Sequence, residues 1–103
     1  HILDECDYLI KESQNNSFEN FVQDQRLSRA VCRSLEIIGE ASNKIDQSLK
    51  EKYPIVNWRE MSGIRNRIIH NYFGIDFDIV WDTIITDIPE LKESLETIIK
   101  NEK

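Results

Sequence analysis

The run Arg65-Asn66-Arg67-Ile68-Ile69-His70-Asn71-Tyr72 gathers, within two helical turns, the residue types that phosphodiester chemistry needs. An imidazole with an ordinary pKa near 6.5 can take the proton from a ribose 2'-hydroxyl, or give one to a departing 5'-oxygen, at neutral pH. His70 is the candidate for that work. A guanidinium offers two parallel hydrogen bonds from a planar fork and can brace charge that builds on phosphoryl oxygens. Arg65 is the candidate here, and Asn66 can orient either the phosphate or the imidazole. None of this chemistry needs a metal. The two histidines, His1 and His70, are far apart, and no His/Cys/carboxylate cluster has ligand spacing. No glycine-rich phosphate loop and no Gly-x-Ser-x-Gly elbow is present. No cofactor and no metal are expected.

Plainer roles compete for each of these residues. On a helical wheel stepped at about 100° per residue, Trp58, Met61, Ile64, Ile68, Ile69 and Tyr72 fall within about 140° around Arg65. That places Arg65 inside an apolar face, where a charge requires a partner because leaving it unpaired costs several kcal/mol. Glu36 and Glu40, one turn apart upstream, are candidate partners; their simpler role is a salt bridge with Arg33. Asn66 and His70 fall on the polar side with Arg59 and Arg67, so one straight helix does not converge the set. Either the helix unwinds near His70, or two copies of it build the site across a two-fold axis. Arg26, Arg29 and Arg33 line another face at i, i+3 and i+7 spacing. That face can contact RNA, solvent or another chain.

Positioning falls to helices. Only three glycines and two prolines interrupt the 103 residues, and no alternating β-branched run is bounded by turn residues. Leu3, Cys6, Leu9 and Ile10 mark a first helix ending near Ser13, followed by the loop Gln14-Asn15-Asn16-Ser17. Ser17 caps a short turn, Phe18 to Val22, whose phenylalanines fasten the loop to the core. Val31, Leu35, Ile38, Ser42, Ile45 and Leu49 share one stripe of a long helix from about Gln25 to Tyr53, ended by Pro54. Gly39 in that helix permits a close helix approach. Asn57 caps a helix from Trp58 to about Tyr72, and Asp76 caps one from Phe77 to about Thr86. Asp87 with Pro89 opens the last helix, whose buried face is Ile88, Leu91, Leu95, Ile98 and Ile99. The expected architecture is one all-α domain, residues 1–103, an up-and-down bundle of four to five main helices.

Composition narrows the functional classes. The charge of -6 disfavours a protein that coats nucleic acid, since that affinity comes mainly from Lys and Arg, yet a local basic site remains compatible. Arg59, Arg65 and Arg67 stand close together against only Glu60. Cys6 and Cys32 are too few to staple a secreted mini-domain, so reduced thiols in a cytoplasmic protein are expected. No stretch approaches the roughly 20 apolar residues that span a bilayer, and no membrane association is expected. A domain this small also leaves apolar helix surface for a partner chain, and an oligomer follows.

Arg65, His70 and Tyr72 in an Arg-x-x-x-x-His-x-Tyr arrangement resemble the signature of HepT-type ribonucleases of the HEPN superfamily. Their surroundings are similar too: Arg33-Ser34-Leu35-Glu36-Ile37-Ile38-Gly39-Glu40-Ala41, Lys52-Tyr53-Pro54 with Trp58-Arg59, Tyr72-Phe73-Gly74 through Val80-Trp81, and Asp87-Ile88-Pro89-Glu90-Leu91. The resemblance implies a HEPN-like bundle that dimerises through the motif-bearing helix, with Arg65, Asn66 and His70 in a cleft between subunits. It further implies metal-independent cleavage of RNA by a toxin, encoded beside a minimal nucleotidyltransferase antitoxin of the MntA type. That antitoxin would transfer AMP to Tyr72, adding bulk and negative charge where RNA must sit. Spacing alone reads Tyr72 as a core ring. The chain begins at His1 rather than Met, and the resemblance implies a further helical turn or two before it. The alternative function is a non-catalytic helical module that binds a nucleotidyltransferase and serves as its substrate.

Overall fold

The structure is a computed structural model that describes residues 1–68 and 76–102. Every regular element among the described residues is helical, and none is a strand. In chain order they are α1 (Ile2–Asn15), α2 (Phe18–Gln23), α3 (Gln25–Asn43), α4 (Gln47–Lys52), α5 (Trp58–Ser62), α6 (Ile64–Ile68), α7 (Phe77–Asp82), a π-helical turn (Thr83–Asp87) and α8 (Ile88–Asn101). This is the expected all-α bundle.

α3 is its central element. Val31, Leu35, Ile38 and Ser42 are buried as their spacing predicts, and face α1 on one side and the α5/α6 pair on the other. α1 brings Cys6 and Leu9 to the same core, and α8 brings Ile88, Leu91, Leu95 and Ile98. Ile99 departs from expectation. At 44% exposure it lies outside the buried stripe, since it follows Ile98 by one residue and is rotated about 100° from it. Polar ties set the register between elements: Ser34 Oγ donates to Glu5 Oε1 at 2.7 Å, and Lys92 Nζ meets Asp7 Oδ1 at 2.7 Å.

Capping residues start the helices where the sequence places them. Ser17 accepts from the Asn20 N–H, Asn57 from Glu60 and Asp76 from Ile79. Asp24, in the same role, accepts from Leu27 at the start of α3. Phe21 is fully buried and packs at 5.6 Å against Phe77 and 5.4 Å against Trp81, so the α2 turn is fastened to α7.

Three boundaries differ from the periodicity reading. The helix expected over Gln25 to Tyr53 stops at Asn43 and resumes at Gln47; Lys44 N–H turns back to Ala41 O at 3.1 Å, tightening the last turn, and Asp46 occupies the next N-cap position. The helix expected from Trp58 is interrupted at Gly63, a weak helix former at which α5 ends and α6 begins. The break expected before Asp87 is instead a widened turn that runs into α8, with Ile88 N–H donating to Thr83 O. Pro89 accounts for it physically, because its ring clashes with the carbonyl of residue 85, and widening the helix relieves that clash.

Candidate functional site

α6 carries Arg65, Asn66 and Arg67, and its position is set from both sides. Ile64 and Ile68 are fully buried, pinning one face of this short helix to the core. Where α3 passes the α5/α6 junction, it does so at Gly39. A Cβ there would stand 3.0 Å from Ile64 Cγ2 and 3.2 Å from the Met61 carbonyl oxygen, so the close approach requires glycine. On the far side Arg67 Nη2 donates to Thr83 Oγ1 at 3.1 Å and to Asp87 Oδ2 at 3.2 Å. Thr83 is fully buried and passes its own hydroxyl proton to Ile79 O.

Arg67 is therefore a strut between α6 and the π turn. The wheel had grouped it with the loose cations of the polar side. Its partners were visible as a pair, since Thr83 and Asp87 lie four residues apart and share one face. The missing signal was that the π turn presents both to α6.

Arg65 also differs from expectation. Its side chain is 68% exposed and does not lie within the apolar face. The break at Gly63 shifts the helical phase, so a wheel begun at Trp58 does not carry across to Arg65. Its carboxylate partner is one of the two expected: Arg65 Nε stands 3.8 Å from Glu36 Oε2. The same oxygen lies 3.7 Å from Arg33 Nη1, whose other neighbour is Glu40 at 3.6 Å. Glu36 thus sits between two guanidinium groups, and Glu40 pairs with Arg33 rather than Arg65. At these lengths and exposures the pairs are loose, and each contributes at most about 1 kcal/mol. Asn66 is exposed beside Arg65.

His70 and Tyr72 fall outside the described residues. The flanks of that segment are close, with the Asp76 N–H donating to Ile68 O at 3.0 Å. Among the described residues no group of three or more His, Cys, Asp or Glu is arranged to hold a metal ion. A cleft of about 210 Å³ on another side of α5 is lined by Asn57, Glu60, Asp87, Glu90 and Ser94. Its carboxylates would repel a phosphate, so it does not compete with the α6 surface for an RNA backbone. No helix is long and apolar enough to cross a membrane among the described residues.

Comparison with known proteins bears on residues 2–98, which match the model of a family described as "HepT-like: Ribonuclease HepT-like". A "Putative RNase" of Caldanaerobacter subterraneus subsp. tengcongensis is 47% identical over 103 residues, covering 100% of this chain and 92% of the relative. A "Putative RNase" of Methanocaldococcus jannaschii is 42% identical over 100 residues, 97% of this chain and 83% of that one. The "Probable ribonuclease HepT" of Thermococcus cleftensis is 46% identical over 93 residues, 89% and 84% of the two chains. No solved structure matches.

Proposed function

The chain belongs to the HepT-like ribonuclease family, and from that premise we propose that it is an RNA endonuclease toxin whose site is Arg65, Asn66 and His70. The observation that carries this reading is the state of Arg65. Its guanidinium is exposed on a helix fixed by buried neighbours, and one carboxylate contact at 3.8 Å leaves its donors free for a phosphate. In the reaction, the His70 imidazole removes the 2'-hydroxyl proton, the 2'-oxygen bonds to phosphorus, and the bond to the 5'-oxygen breaks. That oxygen leaves with a proton from a second acid, water or another imidazole. Arg65 neutralises the charge that grows on the non-bridging oxygens, and the product carries a 2',3'-cyclic phosphate. No step requires a metal.

Regulation follows from Tyr72. Transfer of AMP to its hydroxyl by a minimal nucleotidyltransferase of the MntA type sets a phosphate and a nucleoside beside the cleft, where they repel and obstruct RNA. A homodimer meeting at the motif-bearing helix completes this reading.

The test is cleavage of a labelled RNA by the purified protein in EDTA, with Arg65→Ala and His70→Ala beside it. Loss of cleavage in both variants, with a cyclic phosphate on the wild-type product, is the expected result. Incubation with the nucleotidyltransferase and ATP, followed by intact mass, then asks whether the AMP-bearing protein is silent. AMP addition to a protein that never cleaved RNA supports the interaction module instead.

A further inference from the structure

The outward face of α3 carries its charges in an order that serves an isolated helix badly. Arg26, Arg29 and Arg33 occupy the first half and Glu36 and Glu40 the second. Cations near a helix N-terminus and anions near its C-terminus both oppose the macrodipole. On a wheel stepped at about 100° per residue, Arg29, Arg33, Glu36 and Glu40 fall within about 60° of one another. Inside the protein they are poorly matched. Arg33 reaches Glu36 and Glu40 only at 3.7 and 3.6 Å, and Arg29 has no carboxylate within salt-bridge distance among the described residues.

An antiparallel copy of the same helix satisfies the set. With the two-fold axis passing level with the midpoint between Ser34 and Leu35, Arg33 stands level with the partner subunit's Glu36 and Arg29 with the partner subunit's Glu40. Arg26 stands level with the partner's Asn43. One register places both ion pairs, and a two-fold axis doubles each of them. The symmetry also brings like flanks together, as the arrangement requires. Ala30, Ile37 and Ala41 lie beside the charged flank, and small side chains there let two helices approach to the usual 8–10 Å. Ile37 is half-buried and Ala30 exposed, so the strip has apolar surface left to cover.

We infer that this face of α3 seats a second copy of the chain, antiparallel, with Arg29 and Arg33 of each protomer against Glu40 and Glu36 of the other. The contact extends the dimer surface beyond the motif-bearing helix. It also acts on the site: the charged flank borders α6, and the partner's Arg33 competes with Arg65 for Glu36, releasing the Arg65 guanidinium toward a phosphate. That consequence rests on the nuclease reading, whereas the interface does not.

Particle mass by sedimentation over a dilution series tests it, independently of any cleavage. The wild type is expected to be a dimer; Arg29→Glu and Glu40→Arg should each weaken it by about tenfold or more. The double variant Arg29→Glu/Glu40→Arg restores complementary pairs and should restore the dimer. Both positions are exposed, and helicity by circular dichroism checks that each variant folds. A monomeric wild type, single variants that dimerise normally, or a double variant no better than the singles would each overturn the inference. So would singles that keep the dimer and lose only RNA affinity, which would make the row of arginines a nucleic-acid surface.

Discussion

Arg65 and Arg67 are two residues apart on one short helix and have opposite fates. Arg67 is one-third exposed, held by a buried hydroxyl and a carboxylate, and Arg65 is 68% exposed with a single loose contact. Their substitutions should separate accordingly. Arg65→Lys keeps the charge and loses the planar fork; cleavage is expected to fall by about a hundredfold or more, with stability changed by no more than about 0.5 kcal/mol. Initial rates on a labelled RNA together with a denaturant melt check both halves. Arg67→Ala should reverse the pattern, costing about 1–2 kcal/mol in the melt after allowance for its partial exposure. The cysteines follow the same logic of environment. Burial foremost, with Asp7 adding to it, pushes the Cys6 thiol up to about 12, and burial with Glu36 pushes Cys32 up to about 11. Folding therefore favours the protonated thiols. The resulting stability is complete below the ordinary thiol value of 9.0 and is lost as pH rises from there toward 11 and 12. Neither thiol should react with iodoacetamide at pH 8 until denaturant is added, and the denaturation midpoint should begin to fall above pH 9; alkylation read by mass and a pH series of melts test the pair.

At the scale of elements, the positions of α5 and α6 depend on one missing methyl group. Gly39→Ala would gain about 1 kcal/mol of helix propensity. Its Cβ would meet Ile64 Cγ2 at 3.0 Å and a backbone oxygen of α5 at 3.2 Å, and such overpacking typically costs about 1–3 kcal/mol. Because Ile64 is fully buried and a carbonyl cannot rotate away, the cost should prevail, with a net loss of about 1 kcal/mol in a denaturant melt and slower RNA cleavage as α6 moves. The need for glycine at position 39 was legible from its place on the buried stripe of α3. Gly63 was not, because a single glycine between Ser62 and Ile64 reads as tolerated in a helix whose periodicity continues on either side. Yet that break is what turns Arg65 outward. The stripe through Ile45 and Leu49 misleads for a related reason: both are half-buried against the core, so their apolar spacing persists although the helix stops at Asn43 and restarts at Gln47. Periodicity reports which residues face the core, and a chain can keep facing it across a turn. Caps fared better, since Ser17, Asn57 and Asp76 act through hydrogen bonds made within three residues of themselves. The Arg67 strut was hidden because its partners lie 16 and 20 residues away, across a π turn with no local sequence mark.

At the scale of the whole molecule, a chain with charge -6 must recruit a polyanion through a local field. Arg65 alone supplies a weak one, with Glu36 beside it. A two-fold dimer changes the balance by setting two such helices around one cleft, and it permits the Arg of one protomer to work with the His of the other. Mixing inactive variants distinguishes a shared site from one contained in each protomer. Arg65→Ala and His70→Ala proteins, each inactive alone, are unfolded together and refolded at equal concentration so that subunits reassort. In a shared site, half the dimers are mixed, and each mixed dimer has one intact pairing of Arg65 with the partner's His70. Cleavage should then recover to roughly a quarter of the wild-type rate, by the statistics of two-fold assembly. If Arg65 and His70 act within one protomer, no mixed dimer contains an intact pair and the mixture stays inactive. The same experiment repeated with Glu40→Arg added to both variants ties the recovery to the α3 contact. Recovery should then be lost at concentrations where the altered chains sediment as monomers, and should return when the dimer is restored by Arg29→Glu.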